Sequence, residues 1–153
     1  MLCYKYIMGK VLEIGISKIK GGKILKVNKV EAVKGKGLVN DRKFRDNNNP
    51  LQQVTLIEIE NINIYNLENK SSILPLDFRR NIITKNIKLN KLVGKEFFVG
   101  KVRVLAHDLC KPCLYLQNLL KQESFVDQLT VSGGLRCEVL SNGIIRINDD
   151  IVI

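Results

Sequence analysis

Residues Val102 to Lys121, VRVLAHDLCKPCLYLQNLLK, decide how this chain is read, because a strand-like run ends there in Cys-Lys-Pro-Cys and turns into a helix. Val102 to Ala106 has the β-branched, alternating character of a strand, and proline is the residue type favoured at the first position of a helix. Pro112 therefore predicts Lys111 near the N-cap and Cys113 in the first turn. Unpaired backbone N–H groups and the positive end of the helix dipole favour an anion there, and Lys111 adds a cation. Cys113 is expected to react as a thiolate, which the pH dependence of its alkylation rate tests. His107, the only histidine in the chain, lies one short turn upstream.

Three chemistries use such a cysteine. A C-x-P-C stretch that follows a strand and opens a helix serves dithiol redox in thioredoxin-like proteins, but no βαβ alternation surrounds this one. Zinc is a second possibility, with His107, Cys110, Cys113 and Cys137 as ligands, although a second CxxC or a paired-histidine motif is missing. The third is a single thiolate that binds a soft metal or carries a transferred sulfur. Two cysteines packed under a helix start are the inert alternative.

Outward from this stretch the pattern is β. Leu92-Val93-Gly94 leads into the strand EFFVG, and Gly100-Lys101 is a turn. Downstream, Glu123 to Gly134 is loose, and LRCEVLSNGIIRINDDIVI reads as a hairpin around Asn142-Gly143, the pair preferred in a type I′ turn. Leu135, Cys137 and Val139 share one face of its first strand and Arg136 and Glu138 the other. Cys137 is thus expected in the core, with Arg136 free for a ligand or solvent. Upstream, residues 10 to 34 read as two strands joined at Gly21-Gly22, an opening hairpin. Lys34 to Pro50, KGKGLVNDRKFRDNNNP, is a long loop in which Gly35, Gly37 and Asn40 tolerate unusual backbone angles and Asp41, Arg42 and Arg45 are presented. QVTLIE, Gln53 to Glu58, is a strand that runs into a brief helix with Ile62 and Tyr65 on one face. Pro75 precedes Arg79-Arg80 and the strand Asn81 to Thr84. Adjacent strand residues point to opposite faces, so only one of the two arginines is expected in a given pocket. Many short strands with few helices predict a mostly β, barrel-like fold.

At 153 residues the chain suits one domain, residues 1–153, with residues 1–8 read as a ragged extension if Met8 is the true start. No run approaches the roughly 18 to 20 apolar residues of a membrane span, and the N-terminus does not resemble a secretory signal, so a cytoplasmic protein without membrane attachment is expected. Four cysteines in such a protein are not read as a disulfide framework, and Cys3 is taken as incidental. The 25 Lys and Arg against 15 Asp and Glu give a net charge of +10, which suits an anionic partner or A+T-rich coding equally well.

Several segments form one ordered set: Gly37-Leu38-Val39-Asn40-Asp41-Arg42, Gln53-Val54-Thr55-Leu56-Ile57 with Glu60, and Asp77-Phe78-Arg79-Arg80-Asn81-Ile82. Leu92-Val93-Gly94, Leu109-Cys110-Lys111-Pro112-Cys113 and Gly133-Gly134-Leu135-Arg136 follow. In this order and spacing they resemble the MOSC domain, named for the C-terminal domain of molybdenum cofactor sulfurase. The resemblance implies a MOSC-type β-barrel with a few short helices. It also implies that the chain binds the molybdenum cofactor, a phosphate-bearing pterin, with Cys113 as the metal or sulfur ligand and Cys110 secondary. By the same resemblance Arg79 or Arg80, Arg42 and Arg136 line an anionic pocket beside Lys111. Asp41 is expected either to lock the loop or to contact the ligand, and Asn81 to face the pterin edge. The chain departs from the family at Asn40, where glycine is usual, and at Lys43, where histidine is frequent. Its length resembles the small stand-alone bacterial type, without the second barrel of the amidoxime-reducing members or the pyridoxal-phosphate-type aminotransferase domain of the sulfurases. The implied roles are cofactor or sulfur delivery to biosynthetic or acceptor enzymes, or reduction of N-hydroxylated compounds. The alternative is a dithiol-redox or zinc-stabilised β domain that binds an anion such as nucleic acid.

Overall fold

A computed structural model of the chain describes residues 7–153; Cys3 and the rest of the first six residues lie outside the described residues. Along the chain the first elements are β1 (Ile7–Ile16), β2 (Leu25–Val27), β3 (Lys29–Val33), β4 (Gly37–Leu38) and β5 (Val54–Glu58). Helix α1 (Ile59–Glu68) and β6 (Ile82–Lys85) come next, then β7 (Glu96–Val99) and β8 (Val102–Leu109). Helices α2 (Leu114–Leu120) and α3 (Phe125–Gln128) precede β9 (Leu135–Val139), β10 (Gly143–Arg146) and β11 (Asp150–Val152). Seven strands in the order β11-β7-β8-β9-β5-β6-β1 close into a barrel through a β1–β11 pairing, and β2 extends the sheet from β1. Strands β10, β3 and β4 make a separate small sheet. The mostly β barrel read from the sequence is therefore the fold.

Around the barrel the pairings are antiparallel except for β5–β6. A parallel pair needs a crossover, and α1 supplies it. Strand β5 is buried on both faces. Val54 and Leu56 enter the barrel core, where they join Val11, Ile14, Ile82, Leu135 and Cys137, while Ile57 enters a second cluster outside the barrel. Ile62 and Tyr65 of α1 sit in that second cluster, as their shared face predicts. Tyr65, Phe78 and Phe125 meet there with ring centroids 5.2 to 5.9 Å apart, two of the three pairs edge-on. This outer core also buries Leu116 of α2, so the helix that begins after Cys113 is anchored to the barrel wall by apolar packing.

Three local expectations change. The second run of the opening hairpin is two strands, since Leu25 and Val27 face inward at odd positions whereas Val30 and Ala32 are buried at even ones. One strand cannot present both sets to a single face, so the chain shifts phase at Asn28 and β3 joins the other sheet. Asn142-Gly143 is not the turn of a β9–β10 hairpin. Both edges of β9 are taken by β5 and β8, which leaves β10 to pair with β3. Finally, Cys113 is itself the N-cap of α2, with φ −92° and ψ 159°. The Cys110 to Pro112 segment is held too tightly to turn helical: Cys110 N–H donates to Gly134 O at 2.7 Å, and the backbone of Gly133 lies directly against Cys110 and Pro112.

Candidate functional site

Where β8 ends, the barrel presents a cleft of about 490 Å³ built from four separate pieces of chain. The first is the long loop. Asn40 adopts φ 70°, the left-handed conformation that glycine or asparagine tolerates best, and turns the chain so that Asp41 is buried. Asp41 Oδ1 accepts from Ser17 N–H at 3.0 Å and Oδ2 from Lys43 N–H at 3.3 Å, while Arg42 N–H donates to Ser17 O at 2.7 Å. Asn48 Nδ2 grips the Lys43 carbonyl at 2.6 Å. Asp41 thus locks the loop to the end of β1, and the side chains of Arg42 and Lys43 are set into the cleft.

The second piece is Arg79-Arg80-Asn81. Arg79 has φ 60°, ψ 34° and ends a short 3-10 turn, so the strand alternation that would separate the two arginines does not apply. Both line the same cleft, against the expectation of one. Arg79 Nη1 donates to Gly22 O at 3.0 Å and fixes the β1–β2 turn, which brings Lys20 and Gly21 to the wall beside Tyr115. Arg80 is buried and donates from Nε to Gly133 O and from Nη2 to Cys110 O, each at 2.9 Å, and from Nη1 to Phe78 O at 3.4 Å. Only carbonyl oxygens receive these bonds, so burial presses its pKa below the ordinary guanidinium value while the nearby Cys110 pulls it back up. Asn81 ties three strands. Its Nδ2 donates to Gly15 O, its Oδ1 accepts from Thr55 N–H and Oγ1–H at 3.1 Å each, and its own N–H donates to Thr55 Oγ1.

The third piece is β9, where Arg136 stands opposite Thr55 in the ladder and donates to Leu51 O at 3.2 Å. Gly134 enters β9 at φ 105°, with its Cα pressed so close to Leu56 O that a side chain has no room. The fourth is the Cys110 to Leu116 stretch. Cys110 is buried and Cys113 exposed, although both border the cleft together with Lys111 and Tyr115. A smaller recess of about 20 Å³ continues past Arg42, Lys43, Thr55, Arg79 and Arg80 toward Ser17, Asp41 and Asn81.

Seven cations, Lys20, Arg42, Lys43, Arg79, Arg80, Lys111 and Arg136, line the larger cleft, and among the described residues no carboxylate does. Arg42, Arg79, Arg80 and Arg136 all line this cleft. Asp41 and Asn81 border only the smaller recess, and the hydrogen bonds they make are within the protein. Lys20, Lys43, Thr55 and Tyr115 escaped the sequence reading as cleft residues. Lys43 had a signal, since it is two residues from Asp41 in a segment that a buried aspartate would hold rigid.

The zinc set does not assemble. His107 Nε2 pairs with Glu138 Oε1 at 2.8 Å, and Cys137 is in the barrel core, where burial drives its thiol pKa far up. Among the described residues no three His, Cys, Asp or Glu side chains gather as a metal site.

The profile of the MOSC domain matches residues 41–152. The chain belongs to the MOSC domain family. Solved structures with this fold include the YuaD protein from Bacillus subtilis, at 20% identity, TM-score 0.80 and 94% coverage of both chains. YiiM from Geobacillus stearothermophilus, at 14% identity and TM-score 0.71, covers 94% of this chain and 74% of its own. YiiM from Escherichia coli is similar at the same identity and TM-score, with 94% and 69% covered. No curated protein matches the sequence. MOSC domains are associated with the molybdenum cofactor, and membership of the family suggests a role related to that cofactor. No helix among the described residues is long and apolar enough to cross a membrane.

Proposed function

We propose that this MOSC domain holds the molybdenum cofactor, or its sulfurated form, in the basic cleft with the Cys113 thiolate as the ligand to molybdenum or to the transferred sulfur. The observation that carries the reading is an exposed thiol bordering a concave site lined by seven cations and no carboxylate. Its volume suits a small molecule rather than a strand of nucleic acid, which argues against the alternative of a basic nucleic-acid face. The residues fit the group: guanidinium pairs suit phosphate and pterin oxygens, and a thiolate suits a soft metal. Arg42, Arg79 and Arg136 would take the anionic end, with Lys111 beside the thiol. Arg80 has its stronger bonds in the protein and mainly supplies positive potential and holds Cys110 in place. Asp41 sets the loop, and Asn81 keeps the recess in shape. When bound, the cofactor supplies a metal centre that exchanges oxygen or sulfur together with two electrons. A cofactor held in this cleft would serve delivery of cofactor or sulfur to acceptor enzymes, and would equally serve reduction of an N-hydroxylated compound.

Purified protein from a host competent in cofactor synthesis should carry molybdenum and pterin in equal amounts, and Cys113→Ala should lose both while keeping its circular dichroism. Stoichiometric zinc, or molybdenum content indifferent to the substitution, would overturn the assignment.

A further inference from the structure

We propose that Lys43 is the proton carrier of this cleft: its ammonium binds an anionic oxygen of the ligand, can pass that oxygen a proton, and recovers one from water at the mouth. In that exchange an N–H bond on Nζ breaks as an O–H bond forms on the ligand, and solvent restores the ammonium. The inference rests on the anion-holding reading of the cleft but not on the identity of the cofactor.

Elimination among the cations supports it. Arg42, Arg79, Arg80 and Arg136 carry guanidinium groups, which stay protonated in proteins and hold an anion without giving it a proton. Lys20 and Lys111 are exposed, where water solvates an ammonium. Lys43 alone is a lysine both partly buried and common to the large cleft and the small recess. Its backbone is gripped on both sides, by Asp41 Oδ2 on the N–H and by Asn48 Nδ2 on the carbonyl, so the side chain leaves from a fixed point. Facing it are Asp41 and Arg42 of its own loop, Arg136 of β9, and Cys110 after β8. Arg79 and Arg80 ahead of β6, Lys20 of the β1–β2 turn, and Lys111 and Cys113 ahead of α2 line the same cleft. The balance of these groups is cationic. Burial first, then Arg42, hold the Lys43 pKa below the ordinary lysine value, which eases proton release.

Sulfate is a suitable probe, because its charge is constant through neutral and alkaline pH. Its binding to the metal-free protein should weaken about tenfold as pH rises through the Lys43 titration, the loss of one charge-assisted contact. Lys43→Arg should bind sulfate as tightly as wild type at neutral pH and stay flat through that window, and Lys43→Met should be weak at both ends. In parallel, lysine-selective 13C NMR should show one resonance, absent from both variants, that titrates below the other lysines and moves when sulfate is added. The inference falls if Lys43→Arg weakens with pH as wild type does, if sulfate does not bind, or if the Lys43 resonance titrates with the exposed lysines. Failure here with molybdenum retained on Cys113 would leave the cofactor reading standing. A titrating Lys43 in a protein that retains no molybdenum would do the reverse.

Discussion

Replacing Arg80 by Met keeps much of the side-chain volume and removes the bonds that tie Cys110 and Gly133 to the barrel. These are two bonds of 2.9 Å each, counted as well made; a third, at 3.4 Å, goes to Phe78 O and is not counted. A charged hydrogen bond contributes about 1.5 to 3 kcal/mol net, so the pair is worth about 3 to 6 kcal/mol. Against that stands the cost of holding a guanidinium among carbonyls with no carboxylate, the same burial that lowers its pKa. The substitution is expected to destabilise the protein by about 2 to 3 kcal/mol. With a urea dependence of about 2 kcal/mol per molar, the midpoint falls by about 1 to 1.5 M. Arg80→Lys, which can restore one bond, should lie between. Equilibrium unfolding followed by circular dichroism measures the shift. Native-state alkylation resolved by mass spectrometry should show the buried Cys110 becoming reactive in Arg80→Met. A midpoint within about 0.25 M of wild type, with Cys110 still protected, would refute the view that Arg80 holds the Cys-Lys-Pro-Cys segment in place.

Gly134→Ala should be worse tolerated still, since its φ of 105° and the crowding against Leu56 O force β9 away from β5. A loss of about 3 kcal/mol or more in the same unfolding assay is expected, and a near-neutral change would mean the two strands separate easily. Glu58, buried with its pKa raised by desolvation and then by Glu60, opposes folding once ionised. Because the folded-state pKa is above the unfolded one, that penalty is complete above the raised value and disappears as pH falls through it toward the ordinary glutamate range. Glu58→Gln should therefore raise the melting temperature at neutral pH, with the advantage shrinking on acidification; a pH-independent difference would contradict the assignment.

Strand periodicity carried most of the fold. Ile62 and Tyr65 marked the inner face of α1, and Leu135, Cys137 and Val139 the inner face of β9. What misled were the pairings, because Asn142-Gly143 is a sound local hairpin signal that cannot express itself when both edges of β9 are already occupied. Competition for sheet edges is a property of the assembled barrel and leaves no mark on either strand alone. The same holds for the helix start: Pro112 is suited to a first helical position, but Cys110 is bonded to Arg80 and Gly134 and the helix is capped two residues later than expected, at Cys113. At the site, the arginines were legible as residue types in family-like positions, yet the shared cleft of Arg79 and Arg80 required a left-handed arginine that no periodicity announces. Lys20 and Lys43 came to the site through turns fixed by Arg79 and Asp41, contacts that span 57 residues in one case and two in the other.

The most direct test of the central claim is residue-resolved alkylation of protein isolated with molybdenum and pterin, compared with the same protein stripped of both. Cys113 should be modified rapidly in the stripped protein and be protected in the loaded one, while buried Cys110 and Cys137 stay slow in both. Equal modification of Cys113 with and without the cofactor would contradict its role as the ligand.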